Sequence, residues 1–547
     1  MNYIINNIGI FRDYDKIIYH NKVKTAVLLY VIYKRKDIFR NLYYFRNYVT
    51  YTSLKEHART CFYTILFKIP HYKKIADEEI NKFNSKLEIE FQNNQLSLTS
   101  NFNDKLAHDG YTIDEIKTKL LNLKSNNKVN KELVSGTIYN NNDEEVKMIQ
   151  SILPIYYKSN PLHPDIFPEI SLLEKNIINI TKKLFSGDDK VCGCVTSGGT
   201  ESILLACYSY KNLGLQKGIE HPEIILPITA HAAFDKAANY FGIKLHKIPV
   251  DYKTNRIDFT FVYNSINNRT IALVCSTPSF AHGLLDPVSY FSQIAVDFKI
   301  PLHVDACLGG FILPFIDTKS MNYQFGFDLP GVTSISADTH KYGYTPKGSS
   351  ILLYRNEKHF KNQIFVETDW NGGIYATPTI VGSRPGNNIV FTWAILNYYG
   401  FKKYKENSEK IVHTTKTISN ALKTVNDIYL FGEPQLNVIG IGSDKHNIYT
   451  LNKYMTMKGW NLNELQLPAS IHLCVTLNHC NKETIEKFIS DIKYCVNKLN
   501  NELDNKGENI LNCDKVEEAS IYGSTQKIPD RRLIKDVAKH FIKQLSN

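Results

Sequence analysis

Short apolar runs alternate with helix-like patterns through the middle of the chain. The runs lie at 224–226, 270–275, 301–304, 331–335 and 350–354. Each is continuous and brief, as in strands that are covered on both faces. Strands that alternate with helices in this way form a mainly parallel sheet with helices on both sides. The pattern therefore predicts an α/β fold.

The flanking segments have other patterns. Residues 61–158 are polar and mostly helical, and the part after 400 has two apolar runs, at 437–441 and 471–475, with helical patterns beside them. These runs predict a small α/β domain. We expect four parts: a basic and aromatic segment at 1–60, a helical segment at 61–158 contributing to the dimer and the substrate site, a large cofactor-binding domain at 159–400, and the small domain at 401–547.

The N-terminal segment contains one apolar run, Thr25–Tyr33, between lysines and arginines. A transmembrane helix needs about 20 mostly apolar residues, so this run is too short to span a bilayer unaided. The basic, aromatic stretch at 34–73 suits an anionic membrane surface. A helical segment that docks on a partner is the alternative.

Composition excludes little. The chain has 547 residues, a formal charge of +11 and 43% hydrophobic residues, as expected for a large globular protein. No aromatic-interleaved basic stripe or nucleic-acid motif accompanies the positive charge, so an anionic membrane or a phosphorylated substrate explains it at least as well. The ten cysteines lack metal-binding spacing. We expect no metal site and reduced thiols in a cytosolic environment.

The strongest chemical signal is a lysine, Lys341, that follows the apolar run at 331–335. A lysine at the end of a buried strand is desolvated, which favours a lowered ammonium pKa. Such an amine can form a Schiff base with an aldehyde, and pyridoxal phosphate is the usual case. A solvated lysine is the ordinary interpretation, but three upstream motifs supply the other parts of such a site.

The first motif places Asp305 where the run at 301–304 ends. A carboxylate there can hold the proton of a pyridine nitrogen. Two unit charges 4 Å apart attract by about 4 kcal/mol at an effective dielectric near 20, before the cost of desolvation is subtracted.

The second motif, Thr196–Ser202, opens a helix with two glycines and hydroxyls. This pattern suits a bound phosphate, although a capping box at the start of a helix is the ordinary explanation. The third places His231 at a helix start, where its ring can lie on an aromatic cofactor.

Together these residues resemble the group II pyridoxal-phosphate-dependent decarboxylase family. Longer matches narrow the resemblance to the branch of carbon–carbon lyases that act on phosphorylated sphingoid bases, and the similarity runs from about Tyr63 to the C-terminus. The matching segments are 159–168, 303–311, 337–344, 346–350, 369–375, 382–386 and 458–463.

The resemblance implies a type I pyridoxal-phosphate fold, like that of aspartate aminotransferase, with a mainly parallel seven-stranded sheet in the large domain. It implies a homodimer in which both chains build each active site. The implied cofactor-binding residues are Lys341, Asp305, His231, Gly199, Thr200, His340 and, from the partner subunit, Ser383. The implied contacts of the substrate phosphate are Tyr139, His163 and Lys347.

The implied reaction is retro-aldol cleavage between C2 and C3, giving phosphoethanolamine and a long-chain aldehyde. The expected catalytic residues are Lys341, Asp305, His231, Tyr139 and Lys347. The identity of the general base is undecided between Tyr139, His163 and Lys347. An amino-acid decarboxylase and a non-catalytic, partner-binding relative are the alternatives. The resemblance also implies the endoplasmic reticulum membrane with the catalytic part facing the cytosol, and a cytoplasmic location is the alternative.

Overall fold

The computed structural model describes residues 108–125, 130–251, 253–254 and 256–506, together with isolated positions nearer both ends. The segment 1–60, with its apolar run Thr25–Tyr33, lies outside the described residues, as does the basic stretch up to 73. No helix within the described ranges is both long and apolar enough to cross a membrane.

A seven-stranded sheet forms the centre of the fold, in the spatial order β1-β7-β6-β5-β4-β2-β3. Strand β7 runs antiparallel to both of its neighbours, and the pairs from β6 to β3 are parallel. The prediction of a mainly parallel sheet is confirmed. The strands are β1 Cys192–Thr196, β2 Glu223–Pro227, β3 Lys244–Ile248, β4 Thr270–Ser276, β5 Leu302–Asp305, β6 Val332–Ala337 and β7 Ser350–Tyr354.

Burial explains why the sequence forms this sheet. Every residue of β2, β4, β5 and β7 is buried, so these strands read as apolar runs without alternation. The two strands without a predicted counterpart, β1 and β3, lie at the sheet edges. Strand β1 contains Gly193, where a Cβ would lie 2.0 Å from the carbonyl oxygen of Leu352 on β7. Close backbone packing therefore replaces the apolar side chain that would have marked this strand.

Helices cover both faces of the sheet and continue into the C-terminal part. They are α1 Ile113–Ser125, α2 Asp143–Tyr156, α3 Pro168–Leu184, α4 Gly199–Gln216, α5 Ala233–Phe241, α6 Phe259–Ser265, α7 Val288–Phe298, α8 Glu357–Lys361, α9 Gly386–Leu422, α10 Ile448–Met457 and α11 Lys482–Lys506. Helix α9 is interrupted at Gly400, whose φ of 59° and ψ of 173° are not helical. The interruption coincides with the border that the sequence predicts between the large and small domains.

A second sheet lies in the C-terminal part, with four antiparallel strands in the order β10-β11-β13-β12. A short hairpin, β8 Phe365–Glu367 with β9 Tyr375–Thr377, precedes it, and a two-residue ladder joins Val250–Asp251 to Arg256–Ile257. The strands of the second sheet are β10 Tyr429–Leu430, β11 Val438–Gly442, β12 Asn463–Leu465 and β13 Ser470–Cys474.

The segment before α2 is bound to the second sheet. The backbone N–H of Ser135 donates to Asn461, and that of Gly136 donates to Cys474, both at 2.9 Å. The hydroxyl of Ser135 accepts from the N–H of Cys474 at 2.8 Å. These bonds fix residues 134–136 beside the end of β13, and so set the position of Tyr139, whose carbonyl accepts from Leu477.

Candidate active site

The carboxyl ends of the parallel strands β4, β5 and β6 meet at one edge of the central sheet. Asp305 ends β5 and is paired in register with Ser276 on β4 and Ser336 on β6. Lys341 follows β6 after one turn. Ligands of such sheets bind at this edge, and both side chains line the same cavity, of about 340 Å³. The sheet therefore brings the two sequence-predicted ends of the site together.

Lys341 is held by a carboxylate to which sequence reasoning gave no role. Its Nζ lies 2.9 Å from Oδ2 of Asp338, three residues earlier in the same turn. The side chain of Lys341 is 22% exposed and that of Asp338 only 2% exposed. The i, i+3 spacing of opposite charges is the signal that could have identified this pair.

The expected lowering of the Lys341 pKa is wrong. Burial is the largest single influence and disfavours the ammonium, as the sequence argument assumed, but the attraction of the Asp338 carboxylate, its hydrogen bond and the smaller contributions of Cys307 and Tyr139 together raise the pKa of Lys341 above its usual range. The same attraction holds the pKa of Asp338 below its usual value despite complete burial. Lys341 is therefore an ammonium at neutral pH in this structure.

Asp305 is buried but keeps one side open to the cavity. Its residue is 7% exposed, and its Oδ1 accepts the backbone N–H of Cys307 at 3.1 Å. The other oxygen of the carboxylate, Oδ2, can accept the proton-bearing ring nitrogen of a cofactor as its hydrogen-bond partner. This geometry suits the role that the sequence predicts for Asp305.

The glycine loop after β1 forms another wall of the cavity. Gly199 and Thr200 open α4, and both line the cavity together with Gly198. The first N–H groups of a helix have no partner within the helix and suit an anion. A Cβ at Gly199 would lie 2.8 Å from Sγ of Cys307 and from Oδ1 of Asp338. Only glycine lets the loop approach the cavity this closely.

Two further residues predicted from the sequence, His231 and His340, also line the cavity. His231 follows β2, and its Nδ1 accepts the N–H of Ala233 at 3.0 Å, which fixes the ring at the start of α5. The aromatic ring of Phe280 meets it edge-on at 6.1 Å between centroids. The lining residues that sequence reasoning did not assign include Asp338, Cys307, Leu308, Pro278 and Phe280. They come from three segments of the chain, at 278–280, at 307–308 and in the turn of Asp338, and these segments share no sequence pattern.

The cavity fits pyridoxal phosphate. The loop of Gly199 and Thr200 offers N–H groups to a phosphate, Asp305 offers a carboxylate to a ring nitrogen, and Lys341 offers an amine to an aldehyde. The anion-binding loop and the amine are thus set around one cavity, as this cofactor requires.

Tyr139 and Lys347 lie together beside this cavity. Nζ of Lys347 is 4.7 Å from the centroid of the Tyr139 ring and donates to the carbonyl of His340 at 3.4 Å. Burial raises the pKa of Tyr139, and burial together with the charge of Lys341 lowers the pKa of Lys347. Both groups are close enough to interact electrostatically with Lys341.

Ser383 and His163 occupy a different place in the subunit. The side chain of Asn160 donates to the hydroxyl of Ser383 at 3.1 Å, and the carbonyl of Asn160 accepts the backbone N–H of His163 at 3.1 Å. Among the described residues, neither Ser383 nor His163 belongs to the lining of the cavity. One chain thus lines the cavity with the predicted cofactor contacts other than Ser383, while Tyr139, Lys347 and His163 lie outside this lining.

Replacing Gly199 by alanine tests the glycine loop. Because the added Cβ would collide with Cys307 and Asp338, we expect about 1–3 kcal/mol of overpacking and weaker cofactor retention. Gly110→Ala is the matched control, since a Cβ there meets nothing within 4 Å. Cofactor affinity by absorbance titration and melting temperature measure the two effects. Equal cofactor affinity in both variants would contradict the assignment of the loop.

The sheet, the lysine and the carboxylate at its edge define a pyridoxal-phosphate enzyme of the type I fold. The pyridoxal-dependent decarboxylase conserved domain matches residues 138–440. The chain is 45% identical over 410 residues to sphingosine-1-phosphate lyase 1 of Mus musculus, covering 75% of this chain and 71% of the mouse protein. It is 35% identical over 491 residues to the sphingosine-1-phosphate lyase of Drosophila melanogaster, covering 88% and 87%.

Solved structures agree with these relatives. The sphingosine-1-phosphate lyase of Burkholderia pseudomallei superposes with a TM-score of 0.69 at 32% identity, over 76% of this chain and 98% of that chain. The glutamate decarboxylase of Lactobacillus brevis superposes with a TM-score of 0.64 at 21% identity, over 73% and 95%, which shows a shared fold. The chain belongs to the pyridoxal-dependent decarboxylase family and, within it, to the sphingosine-1-phosphate lyases.

Proposed function

We propose that this protein is a pyridoxal-phosphate-dependent aldehyde-lyase that cleaves phosphorylated sphingoid bases between C2 and C3. The products are phosphoethanolamine and a long-chain aldehyde. The observation that carries the proposal is the single cavity lined by Lys341, Asp305, His231 and the glycine loop. The names of the relatives supply the substrate class.

Bound pyridoxal phosphate supplies an electron sink for the pair of electrons left when the carbon–carbon bond breaks. Lys341 would hold its aldehyde carbon, Asp305 its ring nitrogen, and Gly199 and Thr200 its phosphate. His231, fixed by Ala233, would lie against the ring. His340 lines the same cavity and is proposed as a further contact of the cofactor phosphate.

The substrate phosphate is proposed to contact Tyr139, Lys347 and His163. The Lys347 ammonium beside the Tyr139 ring offers a charge-assisted contact to a phosphate oxygen. A general base must remove the proton of the substrate hydroxyl. Burial favours the neutral phenol of Tyr139, which suits a hydrogen-bond donor, whereas the lowered pKa of Lys347 moves in the direction that a general base needs.

Incubation of the full chain with a phosphorylated sphingoid base tests the proposal. Mass detection should find phosphoethanolamine and the aldehyde in equal amounts. Release of carbon dioxide from an aromatic or acidic amino acid, with the sphingoid phosphate left intact, would instead identify an amino-acid decarboxylase. Purified protein that takes up no cofactor and converts neither substrate would support a non-catalytic, partner-binding role.

We also propose a homodimer with shared active sites. Ser383 and His163 are expected at the site but lie outside the cavity lining of their own subunit, which fits a contribution from the partner subunit. The hairpin and loop before Ser383 expose apolar side chains, among them Trp370, Ile374 and Ile380, at 55%, 78% and 56%. An apolar surface of this kind suits a second copy of the chain.

Subunit mixing tests the shared site. We expect Lys341→Ala and His163→Ala each to be inactive alone, because each removes one residue from both sites of the dimer. A mixed dimer regains one site with both wild-type residues, so an equal mixture should recover about a quarter of wild-type activity. Activity is measured after co-refolding, with each variant refolded alone as the control. Absence of recovery in a mixture proven to contain mixed dimers would argue for sites built within one chain.

The location that the resemblance implies is the endoplasmic reticulum membrane, with the catalytic part facing the cytosol, and the positive charge of the chain suits an anionic surface. Cell fractionation with alkaline extraction separates this proposal from a cytoplasmic location. Recovery of the protein in the membrane pellet supports it, and recovery in the cytosolic fraction supports the alternative.

A further inference from the structure

The ion pair between Asp338 and Lys341 occupies one turn after β6. The two side chains meet at 2.9 Å, and the backbone N–H of Lys341 donates to the carbonyl of Asp338 at 3.4 Å. The carboxylate and the amine are therefore connected through both backbone and side chain.

The glycine loop fixes the carboxylate from the other side. The position of a Cβ on Gly199 would lie 2.8 Å and 2.9 Å from the two oxygens of Asp338. The carboxylate thus lies between the proposed phosphate loop and the lysine, at 2% side-chain exposure. The packing leaves it little room to turn away from Lys341.

A second basic group shares the same oxygen. Nε2 of His340 lies 3.7 Å from Oδ2 of Asp338. Burial, with the charges of Lys347 and Lys341, lowers the pKa of His340 despite the attraction of Asp338. The histidine is therefore neutral at neutral pH, and the positive charge opposite Asp338 belongs to Lys341.

The other titratable neighbours do not replace Asp338. Burial raises the pKa of the Cys307 thiol and of the Tyr139 phenol, so both are neutral near neutral pH. Lys347 is a cation that repels Lys341. Asp338, whose carboxylate lies 2.9 Å from the amine, gives the largest of the attractions that raise the pKa of Lys341 against the effect of burial.

We propose that Asp338 is a positioning residue that holds Lys341 as an ammonium whenever the lysine is not joined to the cofactor. The proton that Nζ must lose before it acts as a nucleophile passes to Oδ2, which leaves a neutral amine and a neutral carboxylic acid. The reverse transfer restores the ammonium, so no other acid or base is consumed. The inference rests on the proposed tethering role of Lys341 and is independent of which substrate is cleaved.

The test measures the charge of Lys341 directly. The full chain, freed of cofactor by dialysis against excess amine, is labelled with a small acylating reagent from about pH 7 to about pH 11, because only the free amine reacts. Mass spectrometry of the peptides gives a labelling midpoint for each lysine. In the wild type, the Lys341 midpoint should lie above that of exposed lysines such as Lys217.

Asp338→Asn removes the negative charge of the carboxylate and keeps the size and shape of the side chain. The largest attraction that opposes burial is then lost, so the Lys341 midpoint should fall, and labelling near pH 9 should rise by at least about tenfold, which corresponds to one pKa unit. Asp189→Asn is the matched control, because it removes the carboxylate opposite Lys182, at 3.3 Å, away from the cavity. It should leave the Lys341 midpoint unchanged.

Two results would overturn the proposal. One is an unchanged Lys341 midpoint in a folded Asp338→Asn protein, with only its melting temperature altered, which would indicate a purely structural role. The other is a wild-type Lys341 midpoint at or below that of Lys217, which decides the question even if the variant does not fold. The assay uses neither cofactor nor sphingoid phosphate. Failure of the proposed function would therefore appear in the product assay while the labelling result stands.

Discussion

Lys341→Ala should abolish cleavage of phosphorylated sphingoid bases. The substitution removes the amine that would hold the cofactor and move protons at the reacting carbon, so we expect turnover to fall by at least about 10³-fold, within the range for loss of a positioned proton-transfer group. Product formation is measured by mass spectrometry at saturating substrate. Cofactor should dissociate on gel filtration, since no covalent bond retains it.

The matched control for this prediction is Lys217→Ala. Lys217 is an exposed lysine that caps α4 at its C-terminal end, far along the chain from the glycine loop. Its removal should leave turnover and cofactor retention unchanged. Circular dichroism establishes that both variants are folded. Wild-type turnover in a folded Lys341→Ala protein would refute the assignment of this lysine.

Asp305→Asn should give the second largest loss. Attraction between two unit charges about 4 Å apart is worth about 4 kcal/mol at an effective dielectric near 20. Since about 1.4 kcal/mol corresponds to tenfold in rate, removing the carboxylate should slow turnover by up to about 10³-fold. The amide oxygen of asparagine can still accept the N–H of Cys307 that Asp305 accepts at 3.1 Å. The loss should therefore appear in the maximal rate rather than in the melting temperature.

Cofactor occupancy must be measured beside the rate of the Asp305→Asn variant. The phosphate loop and Lys341 are intact in this variant, so we expect cofactor to bind and the cofactor absorbance to change with the loss of the ring-nitrogen partner. Asp189→Asn, at an exposed carboxylate, is the control and should behave as wild type. A fully occupied Asp305→Asn enzyme with an undiminished rate would exclude Asp305 as the partner of the ring nitrogen.

Much of the fold follows from the sequence because buried parallel strands are uniformly apolar. The runs at 270–275 and 350–354 correspond to β4 Thr270–Ser276 and β7 Ser350–Tyr354 nearly residue for residue. The edge strand β3 Lys244–Ile248 has no such run, since its burial alternates with exposure. Edge position, which only the tertiary structure sets, decides whether a strand is visible in the sequence.

The sequence determined the chemical groups of the site and their strand-end positions: Lys341, Asp305, His231 and the glycine loop. Each follows a strand, and the carboxyl ends of parallel strands meet at one edge. The tertiary structure decided the charge of the lysine. Sequence reasoning considered burial, which lowers the pKa of an ammonium. The fold also places the Asp338 carboxylate 2.9 Å away, and its attraction and hydrogen bond, with the smaller contributions of neighbouring groups, more than offset the effect of burial on the lysine pKa.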